Sequence, residues 1–270
     1  GRLNKKKVFL KKGGKIKIFD HEVVGNSSKI SFYPPGISKK FKKNDKIKID
    51  FDQVIIELVK RFKYGWIGEV VNSGIIGQNK ATNLDRSINL TSITVKDKEA
   101  IKIALKMGIK FFSFSFANTK KDVIKLRKLI GKKSFLISKI ESKKGIKNLK
   151  DIINHSDAIL IDRGDLSREV SIEKIPIMQR KIIKISTNLN KPVYVATNLL
   201  ETMITKNYPN RAEVNDVISS LEMGAKGLVL AAETAIGKYP IDAVKIINKL
   251  IIEFEVWKKE KFKKLSKIKI

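Results

Sequence analysis

From about residue 92 onward the sequence repeats one pattern, a stretch of helical period followed by a short run that is apolar throughout. Strands covered by helices on both faces read this way, because they have no solvent face on which polar residues could alternate. The repeat therefore predicts βα units around a parallel sheet. Thr94 caps a helix predicted to run through Met107, with Ile101, Ala104 and Leu105 as its apolar stripe. Strand 108–116, helix 119–130, strand 134–141, helix 145–154, strand 157–162, helix 175–188 and strand 192–197 follow. A helix from near Arg211, strand 227–231 and a last helix from about Pro240 complete the series. A closed parallel barrel needs about eight such units in ~250 residues, and this stretch holds about five. The fold class expected is α/β, a partial parallel (β/α)8 TIM-type barrel whose remaining strands, roughly three, lie upstream of Gly1.

Residues 1 to about 88 differ. Short runs alternate apolar and polar residues, as in Lys15-Ile16-Lys17-Ile18, Lys46-Ile47-Lys48-Ile49-Asp50 and Trp66-Ile67-Gly68-Glu69-Val70. Turn signals separate them at Gly13-Gly14, Gly25-Asn26, Pro34-Pro35-Gly36 and Asn72-Ser73-Gly74. A period of two with such punctuation predicts a small antiparallel β domain. The expected domains are thus 1–88 and 89–270.

Composition removes several classes of function. The absence of Cys excludes disulfides, cysteine nucleophiles and cysteine-based zinc sites, and two histidines, His21 and His155, exclude a histidine-rich metal centre. No apolar run approaches the ~20 residues that span a bilayer, so no membrane partner is expected. The formal charge of +30 on 270 residues invites a nucleic-acid reading through counterion release. The lysines are spread along the whole chain without a nucleic-acid-binding motif, which favours a solvated surface. The chain opens at Gly1 rather than Met, which predicts a piece of a longer product. A cytoplasmic location is expected, with an organelle left open because a targeting peptide could precede this start.

Chemistry in a parallel barrel sits at the C-terminal ends of the strands. Here Phe135-Leu136-Ile137-Ser138-Lys139-Ile140-Glu141 ends in a cation and an anion two residues apart, and the strand period points both to one face. The next strand, Ala158-Ile159-Leu160-Ile161, runs into Asp162-Arg163-Gly164-Asp165, and Pro192-Val193-Tyr194-Val195-Ala196 ends at Thr197. Glu141 and Asp165 suit Mg2+, which takes a few carboxylate oxygens and leaves positions for water and substrate. Lys139 can neutralise charge on a transferring phosphoryl group or an enolate oxygen. Gly164 lets backbone N–H groups approach a bound carboxylate. Taken singly, Lys139-x-Glu141 reads as a surface ion pair, Asp162-Arg163-Gly164-Asp165 as a turn and Thr197 as a helix cap. Their joint placement on successive strand ends favours a site.

These segments resemble the pyruvate kinase family. Ile137-Ser138-Lys139-Ile140-Glu141 is similar to its lysine and metal-glutamate strand, Arg163-Gly164-Asp165-Leu166 to its metal-aspartate loop, and Ala196-Thr197-Asn198-Leu199-Leu200-Glu201-Thr202-Met203 to its threonine strand. Asn210 to Val217 and Glu233 to Pro240 are also similar to family segments, and residues 1–88 resemble the family's mobile lid, a small β-barrel inserted in the catalytic barrel. The resemblance implies phosphoryl transfer from phosphoenolpyruvate to ADP, giving pyruvate and ATP. It implies Lys139 and Thr197 as catalytic residues, and Ser115, Gly164, Asp165 and Thr197 as substrate contacts. It also implies Mg2+ or Mn2+ on Glu141 and Asp165, a K+ whose ligands lie mostly outside this chain, and a homo-oligomer.

The departures motivate other readings. The family's Ser-Phe-Ile-Arg strand end reads Ser115-Phe116-Ala117-Asn118 here, its Ser-Gly-Glu loop reads Ala231-Ala232-Glu233, and its Asp-Asp-Gly hinge reads Asp50-Phe51-Asp52-Gln53. The lost arginine favours a degenerate relative that binds or regulates without catalysis. A Mg2+-dependent aldolase or lyase acting on pyruvate enolate would use the same lysine and carboxylates. Nucleic-acid binding ranks last.

Overall fold

The computed structural model describes residues 1–50, 53–86, 88 and 90–265, with side chains to residue 260. Of the two hinge aspartates, Asp52 lies outside the described residues. The chain divides into two compact units, Gly1–Leu90 and Thr91–Ile270.

The first unit is built from strands β1 (Lys7–Leu10), β2 (Lys15–Phe19), β3 (Lys29–Ser31), β4 (Lys46–Ile49), β5 (Val54–Phe62), β6 (Gly65–Asn72), β7 (Gly74–Gly77) and β8 (Thr82–Leu84). Six of them form a sheet in the order β3-β2-β6-β5-β4-β8, and β1 pairs with β7 in a separate ribbon. The alternation read from the sequence is the alternation of burial: in β2, Lys15 and Lys17 are exposed while Ile16 and Ile18 are buried. Those isoleucines pack with Ile47, Ile56, Leu58 and Val70 in one core, each such burial contributing about 1.5–3 kcal/mol. One pairing departs from the antiparallel expectation, since β2 and β3 run parallel with Lys17 opposite Lys29. The chain between them is long enough to return to the start of β2, where Asn26 Oδ1 accepts from the Ser28 and Lys29 N–H groups and turns it into β3.

Gly65 opens β6 against β2, and a Cβ there would stand 1.9 Å from the Ile18 carbonyl oxygen. Gly65→Ala is expected to force β2 and β6 apart and to destabilise this unit by about 3 kcal/mol. Trp66 is buried beside it, so its fluorescence during urea unfolding, with Trp257 replaced by Phe, reads the effect. An unshifted midpoint would contradict this close approach.

The second unit holds a parallel sheet of β9 (Phe111–Phe114), β10 (Phe135–Ile140), β11 (Ala158–Asp162), β12 (Val193–Ala196) and β13 (Gly227–Val229), ordered as in the chain. The helices are α1 (Val95–Lys106), α2 (Lys120–Ile130), α3 (Lys143–Lys147), α4 (Leu149–Asn154), α5 (Arg163–Leu166), α6 (Ile175–Asn188), α7 (Arg211–Glu222), α8 (Ala232–Ala235) and α9 (Pro240–Leu265). With every strand parallel to its neighbours, all five C-terminal ends meet at one rim. Central β11 is buried at every residue, which explains its unbroken apolar run. Thr94 caps α1 as expected, in a capping box with Asp97, and Asn210 and Glu213 form another on α7.

One expectation needs correction. The helix expected over 145–154 is two short helices, α3 and α4, broken at Asn148. The Asn148 side chain donates to the Asn118 carbonyl at 2.8 Å, a tertiary bond that sequence propensity does not contain. The apolar stripe of α1 is only partly covered: no residue of that helix is fully buried, and Ile101 packs partly buried against the core. Strand β9 is paired on one side only among the described residues, and Phe111 stays 71% exposed. Among the described residues no helix is long and apolar enough to cross a membrane.

Candidate active site at the strand ends

Along β10 burial alternates, with Leu136, Ser138 and Ile140 inside, so Lys139 faces the rim and Glu141 follows on the same side. The Lys139 Nζ lies 2.6 Å from Glu141 Oε1 and 3.0 Å from Asp162 Oδ2. The other Glu141 oxygen accepts a hydrogen bond from the Phe116 backbone N–H, at the end of β9. Glu141 is 1% exposed, and burial pushes its carboxyl above the usual carboxylate range against the pull of Lys139 and of that N–H. Burial works against the Lys139 charge as well, but the hydrogen bonds and charges of Glu141 and Asp162 outweigh it and raise the ammonium above the ordinary lysine value. Lys139 is therefore a cation throughout the physiological range.

Asp162 ends β11 and caps the single turn α5, its Oδ1 accepting from the Asp165 N–H at 3.3 Å. This turn carries the Asp165 carboxylate back to the rim, where one oxygen each of Glu141, Asp162 and Asp165 lie within 4.8 Å of one another. Three carboxylates so close, with a cation already among them, suit a divalent ion of the Mg2+ type, which binds through carboxylate oxygens. Arg168 NH2 stands 3.1 Å from Asp165 Oδ1.

Thr197, just past β12, accepts from the Gly164 N–H at 2.8 Å and donates to the Ala196 carbonyl at 2.6 Å. Thr197 and Asn198 both have left-handed backbones, with φ of 69° and 53°, a strained choice for side chains other than glycine. Arg163 supports the turn. Its guanidinium donates to the Thr197 carbonyl at 3.1 and 2.6 Å, to the Asn198 carbonyl at 3.0 Å and to Asp216 at 2.5 Å. Glu233, from the Ala231-Ala232-Glu233 loop, is buried and binds the Leu200 and Ala231 N–H groups, joining the loops after β12 and β13.

The structure thus brings Lys139, Glu141, Asp165, Gly164 and Thr197 to one rim. Ser115 lies there too, exposed beyond β9 next to Phe116. The Gly164 and Asp165 amides, expected to meet a substrate carboxylate, are engaged by Thr197 and Asp162. Asn118, where the resemblance expects an arginine, accepts from the Ser142 hydroxyl and ties the end of β9 to α3. Sequence reading passed over Asp162 and Arg163, treating them as part of a turn. The register that sets Leu160 opposite Lys139 brings Asp162, two residues further along β11, to the same face. No sequence signal announced Arg163, whose partner Asp216 is 53 residues away.

A family model described as "Pyruvate kinase, barrel domain" matches residues 2–244. The chain belongs to the pyruvate kinase family. Among curated pyruvate kinases, that of Thermotoga maritima is 38% identical over 259 residues, covering 94% of this chain and 56% of the relative. The Clostridium acetobutylicum pyruvate kinase is 34% identical over 261 residues, 94% of this chain and 55% of the relative. That of Thermococcus litoralis is 33% identical over 254 residues, 93% and 54%. The chain spans about half the length of the curated relatives it matches. Its α/β unit with the parallel sheet belongs to the pyruvate kinase barrel domain.

Proposed function

We propose that this chain carries the phosphoenolpyruvate and metal site of a pyruvate kinase, transferring the phosphoryl group to ADP. The observation that carries this reading is the Lys139 ammonium set between Glu141 and Asp162, with Asp165 in the same cluster. In the reaction the bond from phosphorus to the enolate oxygen breaks, a bond to a terminal oxygen of ADP forms, and the enolate takes a proton on its methylene carbon to give pyruvate. Lys139 neutralises charge on the phosphoryl and enolate oxygens. A preorganised charge of this kind needs no reorganisation at the moment of reaction. Thr197 orders the proton delivery, and the Gly164 and Asp165 amides exchange their internal partners for the substrate carboxylate, with Ser115 at the edge of the site. Glu141 and Asp165 would hold Mg2+ or Mn2+, which supplies positive charge to phosphoryl oxygens when bound.

The same reading makes residues 1–88 the lid and residues 89–270 part of a (β/α)8 barrel in a homo-oligomeric, K+-dependent enzyme of glycolysis in the cytoplasm. Among the described residues β9 and β13 each pair on one side only, and such open edges, which invite further strands, support a longer barrel. A second reading, a non-catalytic relative that binds or regulates, is favoured by Asn118, which stands in place of a cation and serves a structural bond. The deciding experiment is pyruvate formation from phosphoenolpyruvate and ADP with Mg2+ and K+, followed through lactate dehydrogenase. It is run on the whole encoded protein with the 270-residue chain beside it. Turnover is expected from the whole protein; none from a folded, metal-binding protein would decide for the second reading.

A further inference from the structure

The Lys139 ammonium and a divalent cation compete for Glu141. One Glu141 oxygen is taken by the Phe116 N–H, and the other holds Lys139 Nζ at 2.6 Å. A metal ion arriving at Glu141 therefore competes with the ammonium for Oε1 and repels it. If Glu141 were its sole partner, Lys139 would lose its position when the site was charged with metal.

We propose that Asp162 is the positioning residue that keeps Lys139 in place once Glu141 has turned to the metal. The inference rests on the metal reading above and deepens it. Asp162 Oδ2 already faces Nζ at 3.0 Å. Before substrate arrives its Oδ1 accepts from the Asp165 N–H at the start of α5, so the carboxylate that meets an incoming metal ion is oriented by the backbone rather than by the lysine it holds. Asp162 is 8% exposed, so its attraction for the ammonium is screened far less than that of a surface pair. The site thus has a division of labour: Glu141 and Asp165 face the metal, and Asp162 anchors the cation that faces the substrate.

The test is a double-mutant cycle on the full chain with Mn2+ alone as probe, free Mn2+ being read by electron paramagnetic resonance. The variants are D162N, K139M and the pair together. Asparagine retains a side-chain oxygen that can cap α5 and removes only the charge, and thermal unfolding checks that each variant is folded. D162N is expected to weaken Mn2+ binding by about tenfold when Lys139 is present, because the ammonium then competes for Glu141, and by about threefold or less in the K139M background. A purely structural role would lower the melting temperature without this coupling. An equal or larger loss in the K139M background would overturn the inference and make Asp162 a direct ligand, and unchanged binding by D162N would overturn it as well. Failure of both the parent protein and K139M to bind Mn2+ would overturn the metal reading itself, and this inference with it.

Discussion

Lys139→Met is expected to lower pyruvate formation by the whole encoded protein by on the order of a thousandfold, the loss that follows removal of one preorganised charge from a water-poor site. Methionine preserves most of the length and apolar body of the stem, so the change isolates the ammonium. That ammonium is also the present counter-ion of Glu141 and Asp162. Without it the two carboxylates face each other, Glu141 being fully buried. Removing one partner of a buried pair costs up to about 3–5 kcal/mol, and less here because Lys139 and Asp162 keep some contact with solvent. The variant should therefore melt at a lower temperature than the parent without metal, and the gap should narrow when Mg2+ supplies the missing charge. Near-normal turnover would remove Lys139 from the mechanism. A stability gap that Mg2+ leaves untouched would place the metal elsewhere.

Arg163→Met should destabilise the second unit by about 3 kcal/mol, read as a fall in the melting temperature. One guanidinium satisfies the Thr197 and Asn198 carbonyls, the Gln179 side chain and Asp216. Its loss leaves these acceptors unpaired and frees two residues held in left-handed backbone conformations. Arg163→Lys should rescue little, because a single ammonium cannot reach carbonyls and a carboxylate spread around a planar fork. Since the Thr197 hydroxyl receives the Gly164 N–H, relaxation of this turn should also disturb the proposed proton delivery, so turnover per folded molecule should fall. A melting temperature within a degree or two of the parent would show that the turn holds itself.

Periodicity made much of this architecture legible. Helix α6 spans the residues its apolar spacing marks out, and β11 is the buried run that a helix-covered strand must be. Side chains two apart on a strand share a face, so Lys139 and Glu141 could be paired from order alone. Their ion pair at 2.6 Å follows from that geometry. Local chemistry likewise determined the capping boxes at Thr94 and Asn210, because both partners of each lie within one helical turn.

What tertiary structure alone decided are the contacts between distant segments. The break at Asn148 depends on a carbonyl 30 residues away, and the role of Arg163 depends on Asp216 in α7. How far the stripe of α1 is covered could not be read from its spacing, because spacing shows where a helix is apolar and not what covers it. The place of Asp162 in the site required the register of β10 against β11, which sets its carboxylate 3.0 Å from Lys139. Period and capping are short-range properties carried by neighbouring residues; register, burial and charge pairing arise only when the sheet has assembled.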